Sequence, residues 1–127
     1  MASLKNMGFY YIFGTIVFTV YGQLILKWRI EKYGSLPDSS FGKISFLFGL
    51  LHDPFMLSGF ISALVASFFW MAAMTKFDLS YAYPFMSLSF VLVFFLSVWF
   101  FQEPITLHKA AGLLLIVTGI IVTSKSL

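Results

Sequence analysis

The chain has 127 residues, of which 60% are hydrophobic and 10% charged, against roughly a quarter charged in an average soluble domain; this is too little polar surface to coat a globule. The apolar residues run in long uncharged stretches, which is the pattern of lipid contact. A net charge of +3 resides on basic residues scattered singly outside Lys27-Trp28-Arg29, so no basic stripe exists for a nucleic-acid backbone to follow, and the lack of cysteine excludes disulfides and thiolate metal sites.

A transmembrane helix needs about 20 apolar residues. The first candidate runs from Phe9 to about Trp28. Only Lys5 precedes the apolar run and no small-residue cleavage pattern follows it, so an uncleaved helix is expected rather than a removable signal peptide. Gly34-Ser35-Leu36-Pro37-Asp38-Ser39-Ser40 is rich in turn formers. After it, Phe41 to Leu51 is apolar but too short to cross a bilayer, and is expected as a short helix in the interface or a half-inserted segment. The second span is expected from Pro54, suited to a first helical turn, to Thr75, and the third from Leu79 to Gln102. The fourth, Pro104 to Ser124, reaches span length only if Pro104 to Lys109 form its first turns.

The connections Lys76-Phe77-Asp78 and Glu103-Pro104 are tight, which makes neighbouring helices antiparallel. The expected fold is an all-α membrane protein: one domain over residues 1–127, with four antiparallel transmembrane helices and the short interfacial or re-entrant segment between the first two. Such a unit is too small to enclose a transport path alone, so a dimer is expected. Small residues recur as Ser58-Ser62-Ala66 and Gly59-Ala63-Ser67, spacings that let helix backbones approach closely. Gly112 and Gly119 share a face of the last helix and suit contact either with a partner chain or within the unit.

Thr15, Thr19, Gln23 and Lys27 follow one another at four-residue spacing on the first helix, a slowly drifting face roughly 18 Å long. Polar groups facing lipid are costly, so this face is expected to point inward. Threonines can instead satisfy themselves on their own helix carbonyls, and a lysine can snorkel to the surface. Ser80, Tyr83 and Ser87 share a face of the third helix beside Pro84, which lacks an N–H and should kink the helix and open a groove. Glu103 is the one acidic residue flanked by two long apolar stretches. It reads either as a solvated helix end or as a partly buried carboxylate that pairs with a cation or takes up a proton. His52 and His108 are isolated, and no metal cluster, nucleophilic triad or phosphate loop is evident, so neither an enzyme nor a cofactor is expected.

The segment from Ala82 through Tyr83-Pro84-Phe85-Met86-Ser87 to Val93, then Glu103-Pro104 and Gly112 to Gly119, resembles the four-helix members of the drug/metabolite transporter superfamily. It is most similar to the paired subunits of the aminoarabinose-phosphoundecaprenol flippase, which also fit Gly22-Gln23-Leu24 and Lys27, and more distantly to small multidrug resistance proteins. The resemblance covers all four spans. It implies a bacterial inner-membrane dimer, homomeric or with a related four-helix subunit, that moves a polyprenyl-phosphate-linked sugar or related anionic lipid between leaflets. Small multidrug resistance proteins carry a membrane-embedded glutamate three residues before the glycine that matches Gly22, where this chain has Thr19. Export of amphipathic cations is therefore the second reading, and a non-transport accessory subunit the third. An anionic head group needs cations, which Lys27 and Arg29 can supply. The residues expected to meet substrate are thus Lys27, Arg29, Gln23, Thr19, Tyr83, Ser87 and Glu103. Lys5, Lys76 and Lys125 fall on one side of the membrane and Lys27, Arg29, Lys32, Lys43 and Lys109 on the other, a bias that favours the long first loop in the cytoplasm.

Overall fold

A computed structural model describes residues 2–125, which form six helices in chain order: α1 Ala2–Tyr33, α2 Ser40–Leu50, α3 Pro54–Met74, α4 Leu79–Met86, α5 Leu88–Phe101 and α6 Leu107–Ser124. Four stretches are long and apolar enough to cross a membrane: Asn6–Tyr33, Pro54–Met74, Leu79–Phe101 and Leu107–Ser124. A helix closes its backbone hydrogen bonds within itself, the condition that a bilayer core imposes.

The helix bounds differ from the expected ones where local chemistry overrides hydropathy. α1 runs past Trp28 to Tyr33, because the first residue to leave helical geometry is Gly34, at φ +84°. The segment after the first span is helical, and Ser39 opens α2 by accepting a bond from the Gly42 amide at 3.0 Å. The third span is broken rather than continuous. Pro84 removes one rung and crowds the preceding turn, and the chain tightens at Ser87, where Ser87 N–H bonds the Pro84 carbonyl and Phe90 N–H the Ser87 carbonyl, each at 3.0 Å. Gln102 ends α5 in the left-handed region at φ 56°. Pro104 to Thr106 do not join the last helix, which starts at Leu107 with Thr106 capping the Lys109 amide at 3.1 Å. The residue before a proline disfavours helix, so the turn persists until a side chain can cap it.

α1 is the centre of the unit, packed against α3, α4 and α5, with α6 against α4 and α5. α1 and α3 lie antiparallel: Phe18 meets Phe69, Gly22 meets Gly59 and Arg29 meets Asp53. Close approach sets this contact. A Cβ on Gly22 would stand 3.2 Å from the Gly59 carbonyl oxygen, and Ser62 Oγ donates to the Phe18 carbonyl at 2.6 Å. The buried face of α3 is Met56, Gly59, Ser62, Ala66 and Ala73, so both small-residue rows contribute to it, Ser62 and Ala66 from one and Gly59 from the other. Lipid is as apolar as leucine, and such tight packing with an interhelical hydrogen bond substitutes for hydrophobic driving force. Ile12, Ile16 and Val20 extend the core toward Phe77, Tyr81 and Ala82. α6 is mostly exposed, and a Cβ on Gly112 or Gly119 would meet no atom within 4 Å.

Candidate functional site

The polar row of α1 sits between two cavities. Thr15 is buried and donates to the Tyr11 carbonyl at 2.9 Å, the self-satisfying arrangement open to a helical threonine. Thr19 is half-buried, Gln23 is exposed, and no hydrogen-bond partner is found for either side chain among the described residues. All three line a cavity of about 560 Å³ whose other walls come from α3 and from the broken third span, including Ser67, Trp70, Tyr83 and Ser87. Trp70 meets Tyr83 edge-on, with ring centroids 5.7 Å apart. A second cavity of about 520 Å³ has α5 as its floor and separates α1 from α6. Thr19 and Gln23 line it too, with Ser89 and Ser97 of α5, Glu103 of the following turn and Lys109 of α6. The cavities share Thr19, Gln23, Ser89 and Phe90, so one line of neutral donors and acceptors serves both.

The break after Pro84 shapes the first cavity. Tyr83, Met86, Ser87 and Phe90 share one face at helical spacing, and across the tight turn at Ser87 the wall also takes in Ser89, which lies off that face of a straight helix. Ser89 is buried and donates to the Met86 carbonyl at 2.6 Å, bracing the break.

Of the residues expected at the site, Thr19, Gln23, Tyr83 and Ser87 come together on the first cavity, and Glu103 reaches the second. Lys27 lies one turn beyond Gln23, outside both linings, with its side chain 49% exposed and Nζ 3.4 Å from Glu31. Arg29 is elsewhere. Its Nε and Nη2 donate to Asp53 Oδ2 at 3.0 and 2.5 Å, the Tyr33 hydroxyl donates to the same oxygen, and Oδ1 accepts from the Phe55 and Met56 amides at 2.8 and 3.3 Å. The guanidinium also lies 5.0 Å from the Trp28 ring centre and 4.9 Å from that of Phe55. Asp53 is thus both the cap of α3 and the tie between α3 and the end of α1. The Arg29 guanidinium first, and the Tyr33 hydroxyl second, hold its carboxyl well below the usual carboxylate range.

Three residues that sequence reasoning left out matter here. Lys109 is the cation that lines the second cavity. Trp70 continues the Gly59-Ala63-Ser67 row at helical spacing, and could have been found by extending that row. Asp53 lies 24 positions from Arg29, and no local pattern links them.

The EamA-like transporter family model matches residues 2–125. The chain is 32% identical over 121 residues to the "Probable 4-amino-4-deoxy-L-arabinose-phosphoundecaprenol flippase subunit ArnF" of Erwinia tasmaniensis, covering 91% of this chain and 92% of that one. It is 30% identical over 125 residues to the protein of the same name from Photorhabdus laumondii, covering 91% and 96%. With the "Probable 4-amino-4-deoxy-L-arabinose-phosphoundecaprenol flippase subunit ArnE" of Pseudomonas aeruginosa strain UCBPP-PA14 it shares 25% identity over 115 residues, covering 91% and 95%. No solved structure matches the chain.

Proposed function

The chain belongs to the EamA-like transporter family, and from that premise we propose that it is one subunit of a dimeric flippase in the bacterial inner membrane, moving a polyprenyl-phosphate-linked sugar or related anionic lipid between leaflets. The observation that carries this reading is the continuity of the two cavities along Thr19 and Gln23. A flippase must give a polar head group hydrogen-bonding partners through the bilayer while the tail stays in lipid. A line of neutral donors and acceptors between two lateral cavities supplies such partners, since each unsatisfied polar group in hydrocarbon costs several kcal/mol.

In this reading a phosphate arriving from the membrane edge meets Lys27, then Gln23 and Thr19. The Lys27–Glu31 contact joins two half-exposed side chains at 3.4 Å, and such surface pairs contribute only about 0–1 kcal/mol, so a phosphate can displace it. Deeper in, Trp70 and Tyr83 offer apolar ring surface to a sugar, with Ser87 hydroxyl beside them. Arg29 acts indirectly by fixing the end of α1 through Asp53. The vacant face at Gly112 and Gly119 supports pairing through α6, with the same chain or a related subunit, because glycines let a second helix approach. The name "flippase subunit" carried by the relatives agrees with a protein that works in an assembly.

The test is to purify the protein in lipid nanodiscs and identify the co-bound lipid by native mass spectrometry. A polyprenyl-phosphate sugar retained by wild type supports the assignment. Exclusive retention of amphipathic cations, or of no lipid beyond the bulk composition, refutes it.

A further inference from the structure

Resting on the flippase reading above, we propose that Phe90 is a size filter between the two cavities, its ring deciding which head groups pass from one to the other. Four side chains line both cavities, Thr19 and Gln23 from α1 and Ser89 and Phe90 from α5. A residue that lines two cavities stands on their common border, so these four frame the opening between them. Thr19 and Gln23 present hydrogen-bonding groups, and Ser89 is small, buried and tied to the Met86 carbonyl at 2.6 Å. Phe90 is the large apolar member of the frame. It is exposed, and no aromatic ring contact holds it among the described residues.

The position of this frame along the spans is the second argument. Phe90 is the central residue of Leu79–Phe101, and Thr19 stands at the middle of Asn6–Tyr33. The opening therefore lies at mid-depth, where a polar head group is furthest from water and depends most on the groups around it. From there the cavities diverge. The first reaches Trp70 and Tyr83, near the start of the third span, and the second reaches Glu103 and Lys109, beyond its end. Phe90 also sits on the first turn after the break, with its N–H bonded to the Ser87 carbonyl at 3.0 Å. Helical aromatic side chains lean back over the preceding turn and have two χ1 wells, near 180° and −60°. An exposed side chain exchanges between such wells in picoseconds to nanoseconds, so the ring is a fast-moving obstacle and not a slow lid.

Volume then separates binding from passage. Cavities of about 560 and 520 Å³ both fall within the roughly 300–1,000 Å³ of small-molecule sites, so neither cavity excludes a modest head group. Bulk is instead limited at the border that Phe90 narrows. Thr19 and Gln23 supply the hydrogen bonds there, and Phe90 supplies the steric selection. A change at Phe90 should alter the rate of movement between leaflets and its dependence on head-group size, and leave affinity as it was.

The experiment uses the full chain and two probes, a polyprenyl phosphate carrying one sugar and the same lipid carrying a disaccharide. Transbilayer movement is measured in proteoliposomes and binding in nanodiscs. Wild type is expected to move the one-sugar lipid about tenfold or more faster than the disaccharide lipid, the scale of one overpacked side chain. Phe90→Ala is expected to remove most of that difference by speeding the disaccharide lipid, and Phe90→Trp to slow the one-sugar lipid, with its binding unchanged in both variants. Wild type that moves both lipids equally, or a wild-type ratio in Phe90→Ala, overturns the filter and leaves the flippase reading intact. Movement of neither lipid by wild type overturns both. A loss of affinity in Phe90→Trp that matches its loss of rate makes Phe90 a binding contact and also overturns the filter. If Phe90→Ala does not fold, Phe90→Leu, which keeps an apolar but narrower side chain, decides by the same ratio.

Discussion

Enlarging Gly22 tests the α1–α3 contact most directly. A Cβ there stands 3.2 Å from the Gly59 carbonyl oxygen, where ordinary contact begins at 3.4 Å. The partner is backbone and cannot swing aside, so Gly22→Ala requires the helices to part by about 0.2 Å, which stretches the Ser62–Phe18 bond from 2.6 Å to about 2.8 Å, still within hydrogen-bonding range. The strain, about 1 kcal/mol at the low end of overpacking, is offset by the similar gain in helix propensity of alanine over glycine. Gly22→Ala is therefore expected to be nearly neutral. Gly22→Leu forces a larger separation: overpacking of about 3 kcal/mol plus loss of the Ser62 bond at about 1 kcal/mol gives a destabilisation of roughly 3–4 kcal/mol. Reversible unfolding in mixed micelles titrated with SDS, followed by tryptophan fluorescence, reads this difference. Gly112→Leu, in open space, is the matched control in monomeric micelles. If Gly22→Leu unfolds at the wild-type midpoint, the helices do not cross at Gly22 and Gly59.

Lys27→Met is expected to fold normally but bind polyprenyl phosphate about ten- to a hundred-fold more weakly, the range of a charge-assisted bond, whereas Lys27→Arg retains most binding; thermal shift with added lipid phosphate measures both, and undiminished binding by Lys27→Met rules out a cationic entrance. Asp53→Asn is expected to lower stability at neutral pH. Because the native Asp53 carboxyl is held below its unfolded value, about 3.9 in model peptides, the wild-type advantage is full above that value and fades as pH falls through the native one. Melting curves of both proteins from pH 7 downward should converge in acid, and a gap that stays constant would mean the ion pair is not its origin. Cysteine labelling in the Gly34 to Ser39 loop is expected to require membrane-permeant reagent in whole cells, from the excess of lysine and arginine at that end; labelling by an impermeant reagent reverses the orientation.

The four apolar stretches were legible because hydropathy over a span length is a property of consecutive residues. What the sequence left open depends on partners far apart in the chain. Arg29 reads as a free cation beside Lys27, and only the fold brings Asp53 to it, with Tyr33 and two aromatic rings completing the enclosure. Pro84 announces an interruption, yet the break falls at Ser87 because the turns on either side settle where the lost rung can be taken up. The α1 row was readable as one face from its spacing alone. That it would serve two cavities rather than one was not, since this depends on α6 standing off from α1 across α5. The fourth-span start was misplaced for a simpler reason: Thr106 is a strong cap, and a cap three residues into an apolar run outweighs hydropathy in deciding where a helix begins.

The Arg29–Asp53 tie also changes how the segment between them behaves as a polymer. Closing a chain costs entropy that grows only with the logarithm of its length, about 0.6 kcal/mol per doubling. With its ends already joined by the ion pair and the Tyr33 bond, the stretch carrying Gly34 to Asp38 and α2 is a closed ring on the edge of the bundle, and its length is decoupled from the register of α1 against α3. Insertions there should leave both cavities unchanged, so this ring is the place where a lineage of such proteins, or an engineer adding an epitope, can alter the chain without retuning the transport path.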